Sequence, residues 1–86
     1  MSITIQLSDN KANVLFDFLF RAINDKNGET LAAAIEHEGE LWALNGLLGH
    51  LEETLTLPFD PDYAQGLAKA REALVTHSGS WPDSDH

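Results

Sequence analysis

The length, charge and cysteine content of this 86-residue chain narrow its class before any motif is considered. Fourteen acidic side chains against five lysines and arginines give a formal net charge of -9 at pH 7, and cysteine is absent. A chain of this size has room for one hydrophobic core, and without thiols it has no disulfides, thiolate metal sites or cysteine nucleophiles. We expect a cytoplasmic protein, with neither a signal peptide nor an apolar run long enough to cross a bilayer.

The N-terminal residues predict one strand followed by one helix. In the segment ITIQL, apolar and polar residues alternate, which is the pattern of a half-buried strand with Ile3, Ile5 and Leu7 on one side. Ser8 then stands where a helix cap is favoured. The apolar residues that follow predict a largely buried helix from Asp9 to about Asn24.

The segment ETLAAAIEH, residues 29–37, predicts either helix or a second short strand. Alanine and glutamate favour helix, whereas the residues from Leu31 to Ile35 are apolar enough to pair with the first strand. A lone strand leaves its backbone unpaired, so this segment or a second copy of the chain would have to supply the partner. Gly28, just before it, suits a left-handed turn at the end of the first helix.

Two further helices are predicted in the C-terminal half. The first runs from about Glu38 to Thr56, carries a stripe of leucines and is stopped by Pro58. The second starts with Asp60 as its cap and Pro61 at its first position. The sequence therefore predicts an α+β domain over residues 1–77, predominantly helical, with an N-terminal strand, the alternative second strand and three helices. Residues 78–86 are predicted to be a tail.

The acidic residues are concentrated in one part of the chain. From Asn27 to Ala68 there is no lysine or arginine, and the carboxylates in that stretch are Glu29, Glu36, Glu38, Glu40, Glu52, Glu53, Asp60 and Asp62. Such a field repels phosphate backbones and attracts basic surfaces. We therefore expect a basic protein partner, no direct contact with nucleic acid and no membrane partner. Solubility alone is the alternative explanation of the charge.

Gly46 and Gly49 stand inside the second predicted helix, where each costs roughly 1 kcal/mol relative to alanine. A helical wheel places both on one side together with Trp42, away from the leucines. Missing side chains let another backbone approach closely or leave a groove beside the indole. One explanation is packing by another helix of the same chain. The other is a partner-binding surface made of Glu36, Glu38, Glu40, Trp42, Asn45, Gly46, Gly49 and Glu53.

The sequence contains no strong pattern for catalysis or metal binding. His37 and His50 are too far apart for a metal pair on one helix, and neither a zinc-binding His and Glu pattern nor a phosphate-binding glycine loop occurs. Nothing orients the serines for nucleophilic attack. We expect no metal, no cofactor and no enzymatic activity.

Two segments, ITIQLSDNKANVLFDFL and LWALNGLLGHLEETLTLPFDPDYAQGLAKARE, resemble a group of small uncharacterised bacterial proteins. The shared pattern, LW…LE…PF.PDY…L..AR, is matched here by Trp42, Glu52, Pro58, Phe59, Tyr63 and Arg71. This chain departs from it at Gly46 and Gly49, where larger residues are expected. The resemblance implies a shared fold and assigns no activity.

The charge and the glycines favour a non-enzymatic binding or inhibitory protein. Its most concrete form is an immunity protein or antitoxin that neutralises a basic partner, because blocking a basic surface needs a high density of acidic groups. A phage-type inhibitor that mimics the charge of nucleic acid is a close alternative. A structural homodimer, paired through the N-terminal strand, is the alternative of another class.

Overall fold

The fold is all-helical over the residues that the computed structural model describes, which are 2–55, 61–79 and 81. An α-helix is followed directly by a short π-helix, then by a 3-10 turn and two more α-helices. Their bounds are α1 at Asp9–Leu19, the π-helix at Phe20–Asp25, the 3-10 turn at Glu29–Leu31, α2 at Glu38–Thr54 and α3 at Tyr63–Ser78. No described helix is both long and apolar enough to cross a bilayer.

The predicted N-terminal strand is wrong, and with it the α+β class. Ile3 and Ile5 lie in a segment without regular structure and are 84% and 74% exposed. The alternative strand at residues 31–35 is wrong too, because Glu29–Leu31 is a 3-10 turn and residues 32–34 continue as turn. A strand is stable only when its backbone is paired, and no described segment provides a ladder for ITIQL.

The chain divides into two compact units, one made of Met1–Val14 and Thr56–His86, the other of Leu15–Leu55. In the first unit, Ser8 caps α1 as predicted. The Ser8 Oγ accepts a hydrogen bond from the Lys11 backbone N–H at 3.2 Å, and the Ser8 carbonyl accepts one from the Ala12 N–H at 2.9 Å. The buried residues of this unit are Ala12, Leu67 and Ala70.

The third helix begins later than predicted. Pro61 and Asp62 form a turn, and the Asp62 backbone, with φ -96° and ψ 27°, lies outside the helical region, so α3 starts at Tyr63. The predicted cap and the predicted stop of the preceding helix lie outside the described residues, at Asp60 and Pro58. The buried residues of α3 are Leu67 and Ala70.

The second unit contains the larger set of buried side chains. They are Phe16, Leu19, Ala22, Leu48 and Leu51, of which Leu19 is almost completely enclosed. The two buried leucines of α2 confirm the predicted stripe. The first helix is less buried than expected, because Phe18 and Phe20 are exposed.

The helix that starts at Asp9 changes its hydrogen bonding at Phe20. From there to Asp25 the backbone follows the wider π-helical pattern, and the Lys26 N–H donates to the Arg21 carbonyl five residues earlier at 3.1 Å. The predicted end near Asn24 is confirmed to within one residue, but the change of pattern was not predicted. Single turns of π-helix are rare and are frequent at functional sites.

Gly28 closes the turn after the π-helix. It is buried, has a φ of 77°, and its N–H donates to the Ala22 carbonyl at 2.8 Å. A Cβ at this position would lie 3.4 Å from both terminal methyl carbons of Leu41 on α2. The predicted left-handed glycine is confirmed, and its missing side chain lets Leu41 sit directly on the turn.

We expect Gly28→Ala to lower the free energy of unfolding by about 1–2 kcal/mol, because an L-residue is strained in the left-handed region. Urea denaturation followed by circular dichroism measures this loss. Gly28→Asn should lose less, since asparagine visits that region more readily. An alanine variant as stable as the unmodified chain would contradict the role given to this turn.

Candidate functional site

The predicted partner surface lies on α2, and α2 begins at Glu38 because His37 caps it. The His37 backbone is extended, and its Nδ1 accepts a hydrogen bond from the Gly39 N–H at 2.9 Å. In addition, Glu40 Oε1 accepts a hydrogen bond from the Glu36 N–H at 3.1 Å. The two bonds resemble a capping box with histidine as the cap, except that Glu40 accepts from the residue before the cap. It fixes where the first turn of α2 starts.

Gly39 has a local structural reason to be glycine. A Cβ at this position would lie 3.1 Å from His37 Nδ1, so a side chain would push the imidazole away from the N–H that it accepts from. Gly39 therefore belongs to the helix cap and need not be explained by a partner.

A groove of about 490 Å³ lies beside the first turns of α2, within the second unit. We call it the Trp42 groove. It is lined by residues from the π-helix, from the turn at Gly28 and from α2, namely Ile23, Asn24, Asn27, Gly28, Glu38, Leu41, Trp42 and Asn45. Its volume falls in the range of about 300–1,000 Å³ that small-ligand pockets occupy.

Trp42 is 72% exposed, so the second unit leaves most of the indole open beside the groove. Further along the same side of α2, a Cβ added at Gly46 or at Gly49 would meet no atom within 4 Å. Within the second unit, therefore, no described side chain or helix occupies the space that side chains at these two positions would fill. Packing by the third helix, which belongs to the other unit, stays an open alternative.

The structure gathers most of the predicted surface on one side of α2, which we call the Trp42 face: Glu38, Trp42, Asn45, Gly46, Gly49 and Glu53. The spacing of these residues in a helix of 3.6 residues per turn places them within one broad stripe. Its first part lines the groove, and the remainder continues toward the end of α2. Glu36 and Glu40 are exposed but serve the helix cap, so their role in a partner surface stays a prediction.

Among the described residues, the polar lining of the Trp42 groove consists of one carboxylate and three carboxamides, from Glu38, Asn24, Asn27 and Asn45, with no lysine or arginine. None of these four side chains is held by a hydrogen bond or an ion pair to another described residue. The groove therefore offers hydrogen-bonding groups and one negative charge that are available to a ligand.

Sequence reasoning missed the half of the groove that precedes α2. Ile23, Asn24, Asn27 and Gly28 look like the end of one helix and a turn, and only the fold brings them beside Trp42. The available signal was Gly28, whose left-handed conformation marks the turn between the π-helix and the 3-10 turn.

Within the described ranges, no group of three or more histidine, aspartate or glutamate side chains is placed to hold a metal ion. Comparison of the chain with family models, with curated proteins and with solved structures gives no match. The resemblance to small bacterial proteins stays a prediction, and the site is argued from its own geometry.

We expect Gly46→Ala to raise the free energy of unfolding of the isolated chain by about 0.5–1 kcal/mol, because alanine is the better helix former and the added methyl group meets no atom. Gly49→Ala should act in the same direction. Urea denaturation of each variant measures the gain. A loss of stability in either variant would show that the glycines are packed within the chain after all.

Proposed function

We propose that this chain is a non-enzymatic binding protein whose Trp42 face engages a basic protein partner, as an immunity protein or antitoxin does. The observation that carries the proposal is the exposed indole on the same side of α2 as two glycines, at which an added Cβ would meet no atom within 4 Å. Tryptophan is enriched among the residues that dominate interface energies. Because Gly46 and Gly49 have no side chains, the backbone of a partner can come close to α2 there. The cytoplasm is the proposed compartment, on the cysteine-free composition.

The energy available from Trp42 alone is useful for binding. An aromatic side chain buries about 150–250 Å² when it is covered, at about 25 cal/mol per Å². Covering the exposed part of the indole would thus contribute roughly 3 kcal/mol before the costs of association. The remainder of the affinity would come from the other residues of the Trp42 face and from the attraction between its carboxylates and a basic partner.

The charges of α2 support a cationic partner. Glu52 and Glu53 lie in the last turn, which has no basic residue, and carboxylates there face the negative end of the helix dipole. Such an arrangement is unfavourable in the isolated chain, and a partner cation would relieve it. The net charge of -9 would also steer a basic protein toward the chain and speed its association.

The exposed N-terminal segment favours a second candidate, a homodimer. Ile3 and Ile5 keep the alternation of a strand while they are open to solvent, so residues 3–7 of two copies could pair with each other. A phage-type inhibitor that mimics the charge of nucleic acid is a variant of the main proposal, because it too would bind a basic protein.

The test uses the chain as bait in an extract of its native source, with Trp42→Ala as the matched negative bait. The partner that only the unmodified chain retains is identified and titrated by calorimetry. We expect it to be basic and to bind at least tenfold more weakly to a variant with Glu38→Gln, Glu52→Gln and Glu53→Gln. Glu72→Gln, which removes one exposed carboxylate of α3, is the control and should change little.

Two results would contradict the proposal. One is a partner whose affinity is the same for the unmodified chain, for Trp42→Ala and for the triple glutamine variant. The other is a chain that sediments as a dimer and becomes a monomer when Ile3→Lys and Ile5→Lys are introduced, with no basic protein retained. That second result would favour the homodimer.

A further inference from the structure

The Trp42 groove has a chemical character that fits one kind of side chain. Its lining includes Trp42, which is largely exposed, the carboxylate of Glu38 and the carboxamides of three asparagines. Carboxylate and carboxamide oxygens accept hydrogen bonds, and the electron-rich face of an indole attracts cations. A ligand that is flat, positively charged and rich in donors would satisfy all of these groups together.

We infer that the Trp42 groove receives an arginine side chain of the basic partner, an inference that rests on the proposed function. The guanidinium stacks on Trp42, pairs with Glu38 and donates to the carboxamide oxygens of the asparagines. The aliphatic part of the arginine side chain lies along Ile23 and Leu41, which supply the apolar part of the lining.

Arginine fits this groove better than lysine. A guanidinium is planar, carries five N–H donors in a fixed arrangement and is weakly hydrated, so it can stack on a ring and donate in its own plane at once. A lysine ammonium is a compact charge that holds its water strongly and has no flat face. Arginine is also the more frequent cation over tryptophan rings in proteins.

The charges on the two sides of the π-helix direct the cation to the Trp42 groove. A second, smaller hollow in the same unit is lined by Phe18, Ala22 and Thr30 together with Arg21, Asp25 and Lys26. Two of these side chains are cationic, and the Arg21 guanidinium is paired with Asp17 at 2.8 Å. In the part of the chain that the structure describes, Glu38 is the only charged group that lines the Trp42 groove, so a guanidinium meets attraction there without a competing cation.

The π-helix adds an independent argument for this location. Its residues Ile23 and Asn24 line the groove, and the wider backbone pattern ends at the Gly28 turn. A π-helical turn is less favourable than a continued α-helix and is found frequently at binding sites. Here it places the carboxamide of Asn24 on the groove side of the chain.

The test is an NMR titration of the full ¹⁵N-labelled chain with N-acetyl-L-arginine methylamide. Matched probes are the lysine derivative, which keeps the charge, and the citrulline derivative, which keeps the shape and loses the charge. The Trp42 indole N–H is assigned by its loss in Trp42→Ala, which separates it from Trp81. We expect saturable shifts of that signal and of the asparagine carboxamides, at least fivefold weaker binding of lysine and none of citrulline.

Variants test which groups hold the guanidinium. Glu38→Gln should weaken the arginine probe threefold to tenfold, and Trp42→Ala should abolish its effect on the asparagine carboxamides. Glu72→Gln is the matched control and should leave the titration unchanged. Equal binding of the arginine and lysine probes, or shifts spread over the acidic residues without the Trp42 signal, would overturn the inference.

A second titration, with hexa-arginine and hexa-lysine peptides, separates this inference from the proposed function. Tighter binding of hexa-arginine, lost in Trp42→Ala, supports both. Equal binding of the two peptides, dependent on Glu52 and Glu53, overturns the arginine inference and leaves the proposed function standing. If neither peptide binds at low salt, the arginine inference and the proposed function both fail.

Discussion

The Trp42 groove depends on the left-handed turn at Gly28. With a φ of 77° and no side chain, this residue closes the turn that follows the π-helix and gives Leu41 of α2 a surface to contact. The helix cap at His37 then fixes the start of α2, so that Glu38, Trp42 and Asn45 fall beside the turn. Each step follows from local chemistry, and together they build the groove from two stretches on either side of the 3-10 turn and the cap of α2.

The Trp42 face combines several features that cost stability in the isolated chain. Gly46 and Gly49 weaken a helix interior at positions where a side chain would meet no atom within 4 Å, and the indole of Trp42 is left largely in water. Glu53 lies at the negative end of the helix dipole, as does the neighbouring Glu52. Stabilising substitutions for such residues are easy to find, so selection for stability alone would not be expected to keep them. A cationic partner would account for these features together, since it would cover the indole, occupy the space beside the two glycines and neutralise the carboxylates.

The helices could be predicted from sequence because their signals are local. The Ser8 cap, the leucine stripe of α2 and the glycine after the first helix each report on a few neighbouring residues. The prediction of a strand at ITIQL is wrong because the alternation of apolar and polar residues indicates only a preference for extended backbone. A strand also needs a paired segment, and none is present among the described residues. The groove was predicted only in part, because its other half comes from the π-helix and the turn, which carry no recognisable motif.

The most direct test of the central claim is the accessibility of Trp42 in a complex. In a chain with Trp81→Phe, acrylamide quenching of fluorescence reports on Trp42 alone, since the chain has two tryptophans. Saturation with the basic partner recovered from the native source should lower the quenching constant severalfold, because the partner covers the indole. Quenching that stays unchanged while the partner is bound would place the contact elsewhere and contradict the account.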